Sequence, residues 1–349
     1  MKILCANWQA ADEAELEREH YPDIEFILAR STNDKAAALD PAICEAVDAV
    51  INYSPTHNVA AAPSAFPKAR IAVRSGVGFD NIDTAGWGAR KIPACNVPDY
   101  GTTEVADHAI GLMLALTRGT SAYGPELSGN GAEGWHFSKA PLVRRHKGAT
   151  FGIVGLGRIG LATARRAAAF DMKVVFYDPH LLSGVDLSTG YERVHSLGEL
   201  MGRADVVSVH TPLSEETRKL LGAAAFAAAK PGLVLINTAR GPIVDLDALE
   251  AAMRKGAVAG AGLDVLPNEP GDLDHPLLAA WRRREAWIAS RLIVTPHAAF
   301  YSPASMRDLR DRCHEGLRAA ARARAPGGGR MERQPVAEPA TPPCSFQIP

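Results

Sequence analysis

Short apolar segments alternate with longer polar or alanine-rich segments along most of the chain. The early apolar segments are rich in β-branched residues, as expected of strands; they are Lys2–Ala6, Ile24–Leu28, Ala49–Asn52, Arg70–Arg74 and Ile92–Cys95. A second series comprises Phe151–Val154, Lys173–Tyr177, Val206–His210, Leu233–Asn237, Val258–Leu263 and Leu292–Thr295. Strands that alternate with helices form parallel sheets covered by helices. The pattern therefore predicts an α/β protein with two doubly wound, Rossmann-like parallel-sheet domains.

The segments between and after the two series predict the remaining organisation. Apolar residues recur at helical spacing over Thr102–Thr120, which predicts a helix. Residues 120–147 are rich in Gly, Ser and Arg without a clear period, and we interpret them as an arm or connection. Ser302 followed by Pro303 is typical of a helix start and predicts a final helix to about Ala323. The Gly- and Pro-rich residues 325–349 predict a disordered tail.

Composition excludes several classes of protein. Lys and Arg total 38 and Asp and Glu total 39, so the formal net charge is −1 and no basic surplus favours nucleic acid or anionic membrane. The five cysteines are odd in number and scattered without a CxxC pair, which favours reduced thiols over disulfides or a zinc site. No apolar run approaches the ~20 residues that span a bilayer, and no apolar signal core follows Met1. We therefore expect a cytoplasmic protein without metal, nucleic-acid or membrane partners.

A dinucleotide-binding fingerprint opens the second series. The strand that begins at Phe151 runs into G-x-G-x-x-G at Gly155, Gly157 and Gly160, and a helix follows. Such glycines permit a tight turn, close approach of the pyrophosphate and packing of the helix on the strand, and the helix N-terminus faces the phosphates. The next strand ends at Asp178, 18 residues after Gly160, where a carboxylate binds ribose hydroxyls and repels a 2′-phosphate. The pattern predicts NAD rather than NADP; the alternative is a purely structural β–α turn.

Three polar side chains follow later strands of the same series. Arg240, Glu269 and His297 come after the strands that end near 237, 263 and 295, and ligands of open α/β sheets bind at such strand ends. Arginine offers a planar fork for a carboxylate and polarises a carbonyl. Histidine delivers protons near neutral pH, and a neighbouring carboxylate favours the imidazolium. Each residue alone could be a surface ion pair, a loop charge or a capped loop residue, but together they predict reduction of a 2-keto acid.

With these motifs, the sequence from about residue 70 to residue 320 resembles the D-isomer-specific 2-hydroxyacid dehydrogenase family. The residues that carry the resemblance are Gly155–Gly160, Asn237–Gly241, Asp264–Pro270 and Pro296-His297. The resemblance implies that Arg240 binds the substrate and that Glu269 and His297 form the acid–base pair. It also implies that Asp264 lies on the nicotinamide side of the cofactor.

Within this family, the sequence is most similar to the C-terminal-binding-protein branch, on Val73–Asp83, Cys95–Pro98, Phe176–Pro179 and His297–Ser302. Phe300 stands where the animal proteins carry a tryptophan. The likeness implies that Arg74 contacts the substrate carboxylate, that Val77 and Gly78 offer it backbone N–H groups, and that Phe300 faces the substrate side chain. The residues implied to line the cofactor are Thr102, Arg158, Ile159, Thr211, Pro212 and Thr238. His210 joins them because it ends a strand on the cofactor side.

The other histidines and the last helix carry no comparable pattern. We interpret His108, within the Thr102–Thr120 segment, as a structural residue, and His136, His146 and His314 as surface residues. The arginines of the final helix are expected to form a solvated face because the charge of the whole chain is balanced.

These observations predict an NAD-dependent oxidoreductase that interconverts a small 2-keto acid and the D-2-hydroxy acid. The substrate domain would be residues 1–98 plus 299–324 and the cofactor domain residues 99–298, with the active site in the cleft between them. The resemblance implies a homodimer, with a dimerisation arm at about 102–147. The alternative is an NAD(H)-sensing scaffold similar to the corepressors of the same branch, although no peptide-binding groove is evident in residues 1–65.

Two sibling activities fit the sequence less well. Phosphite dehydrogenase is associated with a lysine where this chain has Val77, and formate dehydrogenase of the family has a glutamine at the position of Glu269.

Overall fold

The chain folds into two α/β units in a computed structural model that describes residues 1–8, 10–31, 38–53, 63–269, 271–323 and 345–346. Unit 1 is Met1–Gly101 with Ser302–Pro349, and unit 2 is Thr102–Tyr301. The boundaries expected after residues 98 and 298 lie a few residues before these positions.

Strands and helices alternate through both units. The strands are β1 (Lys2–Trp8), β2 (Glu25–Arg30), β3 (Ala49–Asn52), β4 (Ile71–Arg74), β5 (Ala94–Asn96), β6 (Thr150–Val154), β7 (Lys173–Tyr177), β8 (Glu192–Arg193), β9 (Val206–Val209), β10 (Leu233–Asn237), β11 (Val258–Leu263), β12 (Leu292–Val294) and β13 (Ser345–Phe346). The helices are α1 (Glu15–His20), α2 (Pro41–Ala46), α3 (Thr84–Ala89), α4 (Thr102–Thr117), α5 (Thr120–Asn130), α6 (Arg158–Ala169), α7 (Val185–Thr189), α8 (Leu197–Arg203), α9 (Ala223–Ala227), α10 (Leu246–Lys255), α11 (Pro276–Arg282) and α12 (Pro303–Ala323).

The sheet of unit 1 has the order β13-β5-β4-β3-β1-β2. Strands β1 to β5 pair in parallel, and β13 adds to β5 in the antiparallel direction. Helices α2, α3 and α12 pack against the sheet, and the core includes fully buried Phe66 and Trp87. Because β1 and β3 are neighbours, the winding direction reverses between them, and ligands of such sheets bind at the carboxyl ends of the strands around that point.

The sheet of unit 2 is parallel throughout, with the order β12-β11-β10-β9-β6-β7-β8. Its winding reverses between β6 and β9, which places the turn after β6 at the switch point. The central strands β9 and β10 are buried on both faces. This agrees with the continuous apolar sequence of β10, which is typical of a central parallel strand. Helix α4 packs along α6 and against β10 and β11. The two parallel sheets confirm the predicted fold class.

The structure refines two local predictions in unit 2. The helix predicted at Thr102–Thr120 is present but ends at Thr117, because Gly119 takes a left-handed conformation (φ 73°) that stops it. A further helix, α5, then occupies part of the segment interpreted as an arm or connection. Pro125 and several small residues within α5 remove the apolar period by which a helix is recognised.

Helix α12 begins as predicted, since the Ser302 hydroxyl accepts a hydrogen bond from the Ser305 N–H at 2.9 Å. The expectation that its arginines form a solvated face was wrong for Arg310. Its side chain is only 12% exposed, and it donates to Glu17 and Asp12 at 2.5–2.7 Å. The predicted disordered tail falls mostly outside the described residues, and within it Ser345–Phe346 forms β13.

Two histidines interpreted as surface residues are buried. His314, on α12, has no exposed surface, and its ring contacts those of Tyr21 and Phe26. His146 is almost fully buried, with Nε2 2.8 Å from the Thr117 hydroxyl at the end of α4. Both pair with residues that are distant in sequence, which a local pattern does not reveal.

Candidate active site

The turn after β6 has three glycines with three different requirements. A Cβ on Gly155 (φ 87°) would lie 2.9 Å from the carbonyl oxygen of His210, and one on Gly160 would lie 2.1 Å from the carbonyl oxygen of Gly155. A Cβ on Gly157 would meet nothing within 4 Å. The first and third glycines therefore close the turn and seat α6, while the second leaves open space at the helix N-terminus. Open backbone at that terminus fits a dinucleotide pyrophosphate.

Asp178 follows β7 beside this turn. One carboxylate oxygen accepts from the Leu156 N–H and the other from the His180 N–H, both at 3.0 Å. The Arg193 guanidinium fixes the same loop by donating to the carbonyl oxygens of Asp178, Leu181 and Leu182 at 2.7–3.1 Å. The carboxylate is therefore held in one orientation before any ribose arrives.

The residues after β9 also border the glycine turn. His210 donates its N–H to the Val154 carbonyl at 2.8 Å, and its Nε2 lies 2.8 Å from the Ser208 hydroxyl. Burial lowers the pKa of His210 to about 3, so the ring is neutral at physiological pH. Thr211 and Pro212 continue from it, and the Pro212 carbonyl accepts from the Thr217 hydroxyl at 2.7 Å.

Arg240 leaves β10 in a turn that Asn237 organises. The fully buried Asn237 side chain donates to the Arg240 carbonyl and accepts from the Ala239 N–H, both at 3.0 Å. Gly241 lies so close to the Leu266 backbone that a Cβ there would be 1.9 Å from the Leu266 carbonyl carbon. Only glycine fits at that point, so the turn with Arg240 is pressed against the chain that follows β11.

Glu269 and His297 form a hydrogen-bonded pair. Glu269 Oε2 lies 2.6 Å from His297 Nδ1, and its other carboxylate oxygen accepts from the Leu266 N–H at 2.9 Å. Both side chains are mostly buried, 19% and 18% exposed. An ionised carboxylate can only accept, so Nδ1 carries the proton and Nε2 faces away from the carboxylate. This is the geometry of an acid–base histidine oriented by a carboxylate.

Asp264 holds the turn that bears the histidine. Its carboxylate, 1% exposed, accepts from the Ala298 and Ala299 N–H groups at 2.9 Å, and its carbonyl accepts from the His297 N–H at 2.7 Å. His297 has φ 52°, a left-handed conformation that non-glycine residues adopt when the surrounding structure enforces it. The Phe300 ring then lies edge-on to the His297 ring, 6.1 Å between centroids.

In unit 1, Arg74 ends β4 with its guanidinium folded over its own loop. It donates to the Ser75 carbonyl, and its Nε lies 3.3 Å from Asn81 Oδ1. Gly76 has φ 146°, a conformation that side-chain-bearing residues rarely adopt, and a Cβ there would also displace the guanidinium. In the described part of the chain, the N–H groups of Val77 and Gly78 donate no hydrogen bond, which leaves them free for an anion.

The remaining predicted cofactor residues lie at element ends in unit 2. Thr102 begins α4, Arg158 and Ile159 begin α6, and Thr238 follows β10. The Thr238 hydroxyl is buried and has no hydrogen-bond partner among the described residues, so it could donate to a bound group. Two residues that were not predicted to belong to the site contact Asp264: Thr295, and His108, which was interpreted as a structural residue. Thr295 directly precedes the Pro296-His297 motif, which is the only sequence signal for it.

The described part of the chain contains neither a cluster of metal-ligating side chains nor a membrane-spanning helix. No cluster of three or more His, Cys, Asp or Glu side chains there could bind a metal ion. None of its helices has the length and apolar character needed to cross a bilayer.

Comparison with known proteins relates this arrangement to a characterised family. Residues 110–299 match the family model described as the NAD-binding domain of D-isomer-specific 2-hydroxyacid dehydrogenases. The chain is 37% identical over 265 residues to D-3-phosphoglycerate dehydrogenase of Mycobacterium leprae, an alignment covering 76% of this chain and 47% of that protein. The chain thus spans about half the length of the curated relatives it matches.

Solved structures resemble the chain over most of its length. A NADPH-dependent glyoxylate/hydroxypyruvate reductase from Sinorhizobium meliloti, in complex with NADP and malonate, is 31% identical, with a TM-score of 0.76 and coverage of 91% of this chain and 92% of that one. D-mandelate dehydrogenase from Rhodotorula graminis is 27% identical, with a TM-score of 0.74 and coverage of 91% and 94%.

Proposed function

Because the chain belongs to the D-isomer-specific 2-hydroxyacid dehydrogenase family, we propose that it interconverts a small 2-keto acid and the D-2-hydroxy acid. The observation that carries the proposal is the 2.6 Å pair of Glu269 and His297. These two residues and Arg240 follow three neighbouring strands of one parallel sheet, β11, β12 and β10. Unit 2 contains the NAD-binding domain of the family, and a proton donor oriented by a carboxylate is what hydride transfer to a carbonyl needs.

When bound, NADH supplies the hydride that reduces the keto carbon. His297 donates the accompanying proton from Nε2 to the carbonyl oxygen, and in the reverse reaction the neutral ring accepts it from the hydroxyl. Glu269 holds the Nδ1 proton and stabilises the imidazolium. Arg240 binds the substrate carboxylate and polarises the carbonyl. The turn that Asp264 organises keeps His297 in place through the cycle.

The residues that would hold the cofactor follow strands of the unit 2 sheet or begin its helices α4 and α6. The pyrophosphate would approach the backbone at Gly157, the ribose hydroxyls would bind Asp178, and the His210–Pro212 segment would line the pocket. The other contributors would be Thr102, Gly155, Arg158, Ile159, Gly160, Thr238 and Asp264. Asp178 favours NAD over NADP because a 2′-phosphate would lie against a carboxylate. The S. meliloti reductase is NADPH-dependent, so cofactor preference differs among similar proteins and must be measured.

The substrate carries a carboxylate next to the reacting carbonyl. In unit 2, the Arg240 guanidinium is a planar donor that suits a carboxylate. In unit 1, Arg74 and the N–H groups of Val77 and Gly78 independently form a loop whose donors suit an anion. Phe300, edge-on to the catalytic ring, offers an apolar surface for a substituent larger than a methyl group.

Exposed aromatics on unit 2 support a homodimer. Trp135 and Phe137 are 80% and 81% exposed and follow α5, where an arm was predicted. Large exposed apolar side chains at one place on a surface are typical of a protein interface, and twofold dimers are the commonest oligomers.

Oxidation of NADH with a panel of keto acids tests the proposal. Pyruvate, glyoxylate, hydroxypyruvate and longer keto acids are compared for wild type and His297→Ala. We expect turnover by the wild type and almost none by the variant, with NADH binding, followed by fluorescence, unchanged. Wild-type turnover by the variant would show that another group donates the proton. No turnover of any keto acid by the wild type would refute the dehydrogenase and favour the scaffold alternative.

A further inference from the structure

His108 lies on α4, outside the set of residues assigned above. Its Nε2 is 3.0 Å from the hydroxyl of Thr295 and 3.6 Å from a carboxylate oxygen of Asp264. Thr295 is 187 residues away in sequence, and it immediately precedes the Pro296-His297 motif. The contact therefore joins α4 to the start of the catalytic turn.

The direction of the hydrogen bonds can be assigned by counting protons. Thr295 Oγ1 has one hydrogen, and it donates it to Asp264 Oδ1 at 2.5 Å. The carboxylate cannot donate in return, so the hydroxyl has only acceptor capacity left for the histidine. His108 must then donate from Nε2. A single directed chain runs from His108 through Thr295 to Asp264.

The end of this chain is the turn that carries His297. Asp264 accepts from the N–H groups of His297, Ala298 and Ala299, and these bonds enclose the left-handed conformation of His297. A non-glycine residue keeps such a conformation only when its surroundings enforce it. Orienting Asp264 therefore orients the catalytic ring, and His108 contributes to orienting Asp264.

We propose that His108 is a positioning residue for the proposed reaction, acting through Thr295 and Asp264 to hold the His297 turn. This inference rests on the proposed function, in which His297 is the proton donor. His108 itself contacts neither substrate nor reacting atoms in the scheme, so its loss should misplace the donor without removing it.

The same helix provides a matched control. At its other end, His146 Nε2 lies 2.8 Å from the Thr117 hydroxyl, which donates to the Met113 carbonyl. This is again a histidine donating to a threonine whose proton is used elsewhere, but in the described part of the chain neither residue bonds to Thr295, Asp264 or the turn of His297. A role limited to helix packing would make the two histidines equivalent.

The experiment compares His108→Ala, His108→Gln and His146→Gln in the full chain. Glutamine keeps an N–H donor that can reach the threonine. We measure kcat and KM for the best keto acid, KM for NADH, thermal stability, and hydrogen–deuterium exchange of peptides that contain residues 297–299. His108→Ala should lower kcat about 5- to 30-fold, as expected for one lost, partly buried hydrogen bond felt in the transition state. It should also accelerate exchange of the 297–299 amides.

His108→Gln should recover most of both losses, and His146→Gln should lower the melting temperature without changing kcat or that exchange. Unchanged kcat and unchanged exchange in His108→Ala would overturn the inference. Equal losses of kcat in the His108 and His146 variants would also overturn it, because they would indicate a packing role. If the wild type reduces no keto acid, faster exchange in His108→Ala still supports a role of His108 in holding the His297 turn. In that case only the proposed function fails.

Discussion

The carboxylate of Glu17 should make the stability of unit 1 depend strongly on acid pH. Glu17, on α1, is 1% exposed and accepts two hydrogen bonds from Arg310 of α12, at 2.6 and 2.5 Å. The Arg310 guanidinium also lies over the Trp8 ring, 4.9 Å from its centroid. Burial opposes ionisation of this carboxyl, but the hydrogen bonds and charge of Arg310, together with His314 Nε2 at 3.7 Å, outweigh burial and lower the pKa of Glu17 from 4.5 to about 2.

The sign and size of the effect follow from this shift. A carboxyl whose pKa is lower in the folded state stabilises that state above the unfolded pKa and loses its contribution as the pH falls through the folded pKa. The window is therefore pH 4.5 down to about 2. At 1.36 kcal/mol per pKa unit, the contribution to the free energy of unfolding is about 3 kcal/mol.

Glu17→Gln isolates this contribution from that of other carboxyl groups. Above pH 5, the variant should be less stable than wild type by up to about 3 kcal/mol, and the difference should shrink toward zero near pH 2. Urea unfolding between pH 7 and pH 2, followed by the fluorescence of buried Trp8 and Trp87, measures it. Glu192→Gln is the control, because Glu192 pairs with Arg203 at an exposed site and exposed pairs contribute little. A stability difference that is absent, or that stays constant with pH, would refute the reasoning.

Four further predictions address the site and the assembly. Glu269→Gln should lower kcat for keto-acid reduction, because the His297 ring loses the carboxylate that orients it; an unchanged kcat would contradict the pairing. Asp178→Ala should reduce the preference for NADH over NADPH by about tenfold or more in kcat/KM, and an equal efficiency of the wild type with both would show that Asp178 does not select. Arg74→Ala should lower kcat/KM for keto acids by roughly one and a half to three and a half decades, equivalent to about 2–5 kcal/mol of transition-state stabilisation, while carboxylate-free carbonyls, poor substrates from the outset, change little. Light scattering should give a dimer mass for wild type and a smaller mass for Trp135→Asp, and a monomeric wild type would refute the dimer.

The strands were predictable because burial on both faces leaves an unambiguous pattern. Ala49–Asn52, Lys173–Tyr177, Leu233–Asn237 and Val258–Leu263 begin and end where their apolar runs do. Each run is flanked by polar or small residues, and a central parallel strand has no solvent-facing side to interrupt it. Helix α5 lacked such a signal because its composition is typical of a loop, and it packs against α4 and the segment that directly follows it.

The sequence was sufficient to predict which residues of the site follow the strands, but not which residues they or other buried side chains contact. Arg240, Glu269 and His297 follow strands that the order of the sheet brings together, and the resemblance to the family supplied their roles. Local sequence contains no sign that Arg310 would meet Glu17, or that His314 and His146 would be buried. Such pairs join segments more than 25 residues apart, so they exist only once the sheets have assembled.

Asp264 shows that a residue can be assigned to the site from the sequence while its hydrogen-bond partners cannot. The family resemblance implies that Asp264 lies on the nicotinamide side of the cofactor, and that contact stays a prediction. The structure adds that its oxygens accept the N–H groups of Ala298 and Ala299 and the hydroxyl of Thr295. A buried carboxylate with three donors is costly to disturb, and these donors lie in the turn that bears His297. Asp264, which lies 33 positions before His297, therefore sets the conformation of the catalytic histidine. Helix α4, which precedes the glycine turn in the sequence, contributes through the contact of His108 with Thr295. Substitutions at positions far from His297 in the sequence, such as His108, should therefore change the orientation of the proton donor.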